Sequence, residues 1–245
     1  MPRLFVPTEE LTGEQITLEG EPHRYLTRVL RFRAGASVHL FDGRGLEVSA
    51  TILRAGSREV TLQLGDRRTV SVASTPPVTL LQGLPRPERM DLVIQKATEL
   101  GAARVVPVRA ERSAVGQQAR RERWEKIAQE AARQCGRADT LALGELSTLG
   151  EALATLRAGT TRVIPWEEAP EALPLGEAVA PGALGVDLLI GPEGGFSSDE
   201  VNLARSSGFA VVTLGPRILR TETAAIAALA VIQNQLGALG RGGAG

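Results

Sequence analysis

The sequence predicts an α/β protein in which a small β-barrel precedes a domain built on a parallel sheet. The chain has 245 residues, 43% of them hydrophobic, which is enough for one large domain or two smaller ones. Short apolar stretches separated by glycine turns fill the first 72 residues. From residue 78 onward, strand patterns alternate with helix patterns, an order typical of a parallel sheet with helices on both faces.

The first 72 residues contain the pattern of five short strands. We predict these strands at 3–6, 15–18, 37–41, 46–53 and 59–64. Turn signals at 42–45 (Asp-Gly-Arg-Gly) and 55–57 (Ala-Gly-Ser) separate the later strands, which favours a small β-barrel.

One predicted helix, at 23–31, interrupts the barrel. Leu26, Val29 and Leu30 fall on one of its faces. The opposite face carries arginines at the spacing i, i+4 and i+7, namely Arg24, Arg28 and Arg31. These side chains form either a solvated face or a phosphate-binding stripe. Because no acid lies among them to relieve their repulsion, the pattern favours phosphate contact.

The second predicted domain covers 78–240 and follows a linker at 73–77. Its strands are predicted at 78–81, 104–108, 161–164, 186–190 and 211–214, and its helices at 88–100, 118–134, from 197 onward, and 222–236. Ser197 and Glu200 predict a capping box at the start of the third of these helices. Residues 241–245 are glycine-rich and are predicted to be a loose tail.

The composition excludes several classes of protein. No stretch approaches the roughly 18–20 apolar residues of a membrane span, and the N-terminus lacks a signal-peptide pattern. A single cysteine, Cys135, excludes an internal disulfide framework, so we expect a cytoplasmic protein. Two histidines and one cysteine are too few for a zinc site, and no metal is expected. The net charge is +0, but arginines cluster at 22–41 and 109–137, as in proteins that bind nucleic acid through local patches.

Two glycine-containing loops follow apolar strands near the end of the chain. The first covers 190–196 (Ile-Gly-Pro-Glu-Gly-Gly-Phe) and the second covers 214–224. Ligands of open α/β sheets bind beyond the carboxyl ends of the strands, where glycine lets backbone amides approach closely. Neither loop has the glycine-lysine signature of a P-loop or the G-x-G-x-x-G dinucleotide fingerprint. The loops therefore predict one pocket, lined largely by backbone groups, for a nucleotide-like ligand.

Both loops also resemble known motifs. "IGPEGGFS" and "LGPRILRTETA" are similar to the two C-terminal motifs of the SPOUT-class methyltransferases, and specifically of the RsmE family. Upstream matches extend the resemblance to nearly the whole chain: His23, Arg28-Val29-Leu30-Arg31, 96–101, Pro107, Glu111-Arg112-Ser113, Trp124, Ile127, Ala131 and 133–137. The family pattern continues from the Gly-Arg pair at 136–137 to a proline, where this chain has Asp139-Thr140.

The resemblance implies a fold, a cofactor and partners. The implied fold is a PUA-like, RNA-binding β-barrel over 1–72 and a SPOUT parallel-sheet domain over 78–240, with a deep trefoil knot at about 186–236. The implied activity is methylation of N3 of a specific uridine in 16S rRNA of the small (30S) subunit by a homodimer whose active site lies beside the subunit interface. The implied cofactor is S-adenosylmethionine, bound by Pro165, Glu167, Ile190, Gly191, Glu193, Gly194, Gly195, Leu214, Gly215, Arg217, Ile218, Leu219, Glu222 and Thr223.

The chemistry of methyl transfer to an imide nitrogen suggests roles for two side chains. Arg220 is the candidate for stabilising the negative charge that spreads over the uracil oxygens, with a structural ion pair to Glu222 as the alternative. Glu193 either accepts the N3 proton or helps to bind the cofactor. His23 is expected to cap its helix or contact RNA, which leaves the base unassigned. The residues expected to contact RNA are Arg24, Arg28, Arg31, Arg112, Arg133 and Arg137.

Two other functions fit the same sequence. One is a SPOUT methyltransferase with another target, such as a ribose 2′-oxygen or tRNA. The other is a non-catalytic RNA-binding factor in ribosome assembly that keeps the pocket without the reaction. The barrel ahead of the catalytic domain favours the uridine-N3 family.

Overall fold

The computed structural model describes residues 1–70, 76–113, 120–169 and 172–239. It divides into two compact units, one made of Met1–Val72 with Ala132–Thr140 and the other of Ala73–Ala131 with Leu141–Gly245. Most of the predicted linker at 73–77, and all of the predicted tail at 241–245, lie outside the described residues. Two consecutive domains were expected, and the assignment of 132–140 to the first unit differs from that expectation.

The described part of the first unit contains five strands in one sheet, in the order β1-β3-β4-β5-β2. Its elements are β1 Arg3–Phe5, a 3-10 turn Thr8–Glu10, β2 Gln15–Glu19, α1 Gly20–Arg24, a π-helical turn Tyr25–Val29, β3 Ser37–Phe41, β4 Leu46–Ala55 and β5 Glu59–Thr69. β1 pairs with β3 in parallel, and the other pairs are antiparallel. Alternate strand residues such as Val60 and Leu62 are fully buried, so the strands share one apolar core.

The predicted helix at 23–31 differs from a regular helix. α1 passes into a π-helical turn in which the amide of Leu30 donates to the carbonyl of Tyr25, five residues back, at 2.9 Å. The extra residue in this turn rotates Val29 away from the core, so Val29 is 67% exposed while Leu26 is buried as predicted. His23 is also buried, with Nε2 3.0 Å from the carbonyl oxygen of Gly56, so the expected capping or RNA-contacting role is wrong.

The segment 132–140 is held to the first unit by hydrogen bonds in its C-terminal half. Arg3 donates to the carbonyl of Arg137 at 2.9 Å, and the amide of Thr140 donates to the carbonyl of Gly43 at 2.9 Å. Asp139 forms a 2.5 Å ion pair with Arg137. Asp139 and Thr140, which replace the proline of the family pattern, therefore anchor this segment.

A buried carboxylate, Glu47 on β4, also stabilises the first unit. Arg3 and Arg68 contact its two oxygens at 2.5 and 2.6 Å. Burial raises the pKa of Glu47, but the hydrogen bonds and positive charges of Arg68 and Arg3 outweigh burial and hold that pKa below its ordinary value. The charged form of Glu47 is therefore the form that stabilises the fold.

The second unit is built on parallel strands ordered β11-β13-β10-β12-β6-β7-β8, with β9 also pairing β7, among the residues that the structure describes. Its elements are β6 Val78–Gly83, α2 Pro87–Glu99, β7 Arg104–Arg109, α3 Arg121–Cys135, β8 Ala142–Leu143, β9 Ser147–Thr148, α4 Leu149–Ala154, β10 Thr161–Pro165, β11 Leu173–Pro174, α5 Leu175–Ala178, β12 Val186–Ile190, α6 Ser198–Ser206, β13 Ala210–Thr213 and α7 Thr221–Gln235. The first two residues of the helix predicted at 118–134 lie outside the described part of the chain.

Helices cover both faces of this sheet, as predicted. Leu80 and Leu188 belong to an apolar cluster with α2, α3 and α7, whereas their neighbours Leu81 and Leu189 belong to a second cluster with α4 and α6. Because successive strand residues point to opposite faces, the two clusters lie on opposite sides of the sheet. β12 is buried at every residue, which explains its four apolar side chains. The fifth residue, Asp187, accepts a hydrogen bond from the hydroxyl of Thr160 at 2.5 Å and lies 3.6 Å from Nε of Arg162.

The carboxyl ends of β13, β10, β12 and β6 meet along one edge of the sheet, because these four strands are parallel neighbours. The loops that follow them converge at this edge, which is the position where open α/β sheets bind ligands. The strand order alone does not establish the trefoil knot implied for 186–236, which stays a prediction. Among the described residues, no helix is long and apolar enough to cross a membrane.

Candidate active site

A cavity of about 560 Å³ opens at the carboxyl edge of β10, β12 and β13. The residues that were predicted for the site and that line this cavity are Pro165, Glu167, Ile190, Gly191, Glu193, Gly195, Leu214, Gly215, Arg217, Ile218, Leu219 and Arg220. They come from three separate strand ends, so the fold brings together residues up to 55 positions apart. The volume of the cavity is in the range of sites that bind cofactors and other small molecules.

The loop after β12 is fixed at both ends. Gly195 has a positive φ of 69°, and its amide donates to the carbonyl of Pro192 at 3.0 Å, closing a tight turn. A side chain at Gly191 would meet the backbone of Gly195 at 3.3 Å. Beyond the turn, Phe196 is buried and the predicted capping box at the start of α6 is confirmed. The turn therefore holds its backbone groups at the cavity wall without help from a ligand.

The loop after β13 is more open. Gly215 has a φ of 102°, and its amide donates to the hydroxyl of Thr213 at 3.1 Å. Ile218 is 85% exposed although it lines the cavity. This loop ends at Arg220, the N-cap of α7, whose backbone is extended (φ −65°, ψ 150°).

Arg220 is exposed at the mouth of the cavity. Among the described residues, no ion pair or hydrogen bond with its side chain is found, and Glu222 lies next to a different arginine. The alternative of a structural Arg220–Glu222 pair therefore has no support in the geometry, and the guanidinium of Arg220 is available to a ligand.

Arg89, on the first turn of α2, is the cationic partner of two carboxylates, those of Glu193 and Glu222. Its Nε lies 3.6 Å from Glu193, and its Nη1 lies 3.5 Å from Glu222. The same oxygen of Glu193 accepts the backbone amide of Arg86 at 2.9 Å. Arg89, Glu193 and Glu222 together carry a formal charge of −1, and the lining of the cavity also includes Glu167, Arg217 and Arg220. The carboxylates of Glu167 and Glu193 are the groups of this lining that attract a cationic ligand.

Arg89 was not among the residues predicted from the sequence. Arg89 reaches the cavity because α2 follows β6, and β6 is a parallel neighbour of β12 that ends at the same edge of the sheet. The sequence shows that α2 follows β6, but it does not show that β6 lies beside β12. Trp166 was also missed; it lines the cavity, and the guanidinium of Arg205 lies 5.8 Å from its ring centre.

The chain resembles known proteins over most of its length. A family model described as an RNA methyltransferase domain matches residues 73–233, and one described as an RNA methyltransferase PUA domain matches residues 18–65. Ribosomal RNA small subunit methyltransferase E of Mycobacterium bovis is 33% identical, over 93% of this chain and 89% of that protein. The chain belongs to the RsmE family of ribosomal RNA small subunit methyltransferases. The resemblance read from the loop motifs is therefore confirmed.

Solved structures of RsmE-like proteins have the same fold. Ribosomal RNA small subunit methyltransferase E from Neisseria gonorrhoeae, bound to S-adenosyl methionine, is similar with a TM-score of 0.86 and 33% identity, covering 96% of this chain and 97% of that one. A putative methyltransferase from Legionella pneumophila, also in complex with that cofactor, has a TM-score of 0.80 and 32% identity, covering 95% and 96%. Both confirm the predicted fold class.

Three residues predicted for the cofactor site of this RsmE-family chain do not line the cavity. Gly194 contacts Arg112, which donates to its carbonyl at 3.2 Å, and a side chain at Gly194 would meet Arg112 at 2.8 Å. Glu222 lies beside Arg89, behind the cavity surface, and Thr223 is exposed on α7. Glu222 thus contacts Arg89, which lines the cavity, whereas Gly194 contacts Arg112, which does not.

The arginines expected to contact RNA fall into two groups. Arg24, Arg28, Arg31 and Arg112 are exposed. Two of these also donate to backbone carbonyls, Arg24 to Gly20 at 3.3 Å and Arg112 to Gly194 at 3.2 Å. Arg133 and Arg137 are half-buried and contact other side chains: Arg133 stacks 4.4 Å from the ring centre of Tyr25 and donates to its hydroxyl, and Arg137 pairs with Asp139. The first group is therefore the more accessible to a phosphate backbone.

Proposed function

We propose that this RsmE-family protein transfers a methyl group from S-adenosylmethionine to N3 of a uridine in 16S rRNA of the small ribosomal subunit. The observation that carries this proposal is the cavity at the strand ends, with its glycine loops and with the carboxylates of Glu167 and Glu193 in its wall. Membership of the RsmE family and the cofactor-bound relatives support the same conclusion.

The residues of the cavity fit this cofactor. Gly195 and Gly215 adopt positive φ values where a side chain would be strained, and these turns leave backbone groups accessible. Glu167 and Glu193 lie at the wall, where their carboxylates attract the positive charge of a cationic ligand. S-adenosylmethionine supplies a methyl group attached to a positively charged sulfur. The loops at 165–167, 191–195 and 214–219 would hold it.

The catalytic role belongs to Arg220. The imide nitrogen of uracil becomes a nucleophile when its proton is lost, and the resulting negative charge spreads over two oxygens. An exposed guanidinium at the cavity mouth stabilises that charge and orients the base. Since an oxygen of Glu193 already accepts the amide of Arg86 and lies near Arg89, we assign Glu193 to organising the cavity wall.

RNA contact is assigned to Arg24, Arg28 and Arg31 of the first unit and to Arg112 beside the Gly194 loop. Phosphates are bound by such exposed cations with little sequence preference, which positions the substrate and leaves selection of the base to the cavity. A homodimer acting in the cytoplasm, where ribosomal RNA is modified, completes the proposal.

The deciding experiment uses isotope-labelled cofactor with undermethylated 30S subunits and, separately, with free 16S rRNA. Mass spectrometry of the digested RNA is expected to find the label on N3 of a uridine. Label on a ribose oxygen or on tRNA would replace this target with one of the alternatives. Calorimetry that finds no binding of S-adenosylmethionine would favour a non-catalytic RNA-binding factor.

Arg220→Ala tests the assignment within the site. Losing one charge-stabilising donor typically lowers kcat by roughly 10²–10³-fold. Calorimetric affinity for S-adenosylmethionine should stay near that of the wild type, because Arg220 is assigned to the uridine. A parallel loss of cofactor affinity would move Arg220 into the cofactor site.

A further inference from the structure

A buried polar network lies beneath the wall of the cavity. The side chain of Gln82, at the end of β6, is completely buried. Its Nε2 donates to the hydroxyl of Thr221 at 2.9 Å, and it also contacts the carbonyl of Gly191 at 3.4 Å. The hydroxyl of Thr221 donates to that same carbonyl at 2.6 Å. One amide thus joins three segments that are distant in sequence.

Nε2 of Gln82 also donates to the carbonyl of its neighbour Gly83 at 3.0 Å. The two partners of Gln82 outside β6 belong to the cavity, and Gln82 itself does not. Gly191 begins the loop after β12, and Thr221 is the first residue of α7, directly after Arg220. Both line the cavity. A change at Gln82 therefore reaches a ligand only through the positions of these two segments.

We propose that Gln82 is a positioning residue that fixes the Gly191 loop against the start of α7. This inference rests on the proposed function, because it assigns Gln82 to the spacing between the cofactor loop and Arg220. The network sets that spacing through hydrogen bonds to one carbonyl oxygen, which leaves little freedom for either segment.

The cost of burying this amide supports a positioning role. Oε1 of Gln82 is buried and has no hydrogen-bond partner among the described residues. A buried acceptor without a partner destabilises a fold, so a leucine of similar volume would serve packing alone better than glutamine. Thr221 and Gly191 keep their own 2.6 Å hydrogen bond without Gln82, but leucine cannot supply the donor that ties this pair to β6.

The test compares Gln82→Leu with a matched control, Gln233→Leu. Gln233, on α7, is also buried and also has an unpartnered Oε1, but it lies next to Gly101. In the cofactor-free protein, Gln82→Leu is expected to raise amide hydrogen exchange in 191–195 and 221–225 at least tenfold, with an unchanged or higher melting temperature. Gln233→Leu should leave exchange in these segments unchanged.

Cofactor binding gives the second readout. Calorimetry with S-adenosylmethionine should show at least tenfold weaker binding by Gln82→Leu and normal binding by Gln233→Leu. Exchange and affinity equal to those of the wild type in Gln82→Leu would overturn the inference, as would equal effects in both variants. If the wild type itself does not bind the cofactor, the proposed function fails, while the exchange comparison still decides the role of Gln82.

A matched pair at Thr221 guards against misfolding of Gln82→Leu. Thr221→Ser keeps the hydroxyl and should retain wild-type exchange, whereas Thr221→Val removes the hydroxyl at constant shape and should reproduce the loosened loops. Normal exchange in Thr221→Val would contradict the network.

Discussion

Gly83→Ala adds a single methyl group where the Gly191 loop lies closest to β6. The new Cβ would lie 2.6 Å from the backbone nitrogen and Cδ of Pro192 and 2.9 Å from the carbonyl carbon of Gly191. Ordinary contact begins near 3.4 Å, so the loop must retreat by about 0.8 Å. Overpacking of this kind costs about 1–3 kcal/mol.

This strain falls on the loop that lines the cavity, because the opposing atoms are backbone and a rigid proline ring. The loop can relieve this strain by moving away from the position in which it binds the cofactor. A strain of about 1–3 kcal/mol then raises the Kd for S-adenosylmethionine roughly 5- to 150-fold, because each 1.4 kcal/mol corresponds to a tenfold change. Isothermal calorimetry measures this directly, with circular dichroism to confirm that the variant is folded.

Gly150→Ala is the control, because a side chain at Gly150 in α4 would meet no other atom within 4 Å. Alanine there should raise the melting temperature slightly, by its helix propensity, and leave the Kd unchanged. Wild-type affinity in Gly83→Ala would refute the reasoning, since it would mean that the loop is not held in place by its contact with β6.

The remaining predictions concern charged groups. Arg89→Leu should lower the melting temperature because Glu222 loses its cationic partner, and adding Glu222→Gln should recover most of the loss; no recovery would argue against the pairing. Glu47→Gln should destabilise the protein at neutral pH. Because the folded-state pKa of Glu47 is lowered, its contribution is complete above the unperturbed value of about 4.3 and is lost as the pH falls through the folded value. Urea unfolding of both proteins should therefore converge in acid. Arg28→Ala/Arg31→Ala should weaken RNA binding and reduce the slope of log K against log salt by roughly 1.5; an unchanged slope would remove both from the RNA surface.

The strand ends and their loops were predictable because their signals are local. An apolar run such as 186–190 followed by glycine and proline marks a buried strand and a turn without knowledge of the rest of the fold. The helix caps follow for the same reason: Ser197 and Glu200 are three residues apart and cap each other's backbone amides. Only the additional hydrogen bond from the amide of Glu111 to Glu200 depends on the rest of the fold.

The parts that escaped prediction depend on contacts between distant segments. Arg89 and Gln82 reach the site because β6 lies beside β12, and no local pattern specifies that neighbour. The π-helical turn after α1 was missed because regular spacing of apolar residues cannot report one additional residue in a turn. Tyr25, on which Arg133 stacks, is 108 positions away in the sequence and becomes its neighbour only after folding, whereas Asp139, the partner of Arg137, was already present as a local signal. RNA contact by these two arginines stays a prediction.

The attachment of Ala132–Thr140 to the first unit has a consequence for synthesis. A fragment ending at residue 72 lacks the segment Ala132–Thr140, which contacts Arg3 and Gly43. Cutting the chain at the linker is therefore expected to yield an incomplete barrel. During translation, the barrel strands leave the ribosome first, yet their last contacts arrive only once residue 140 has emerged. Until then the first unit must persist with an uncovered turn at 42–45, and maturation of the two units is coupled in time.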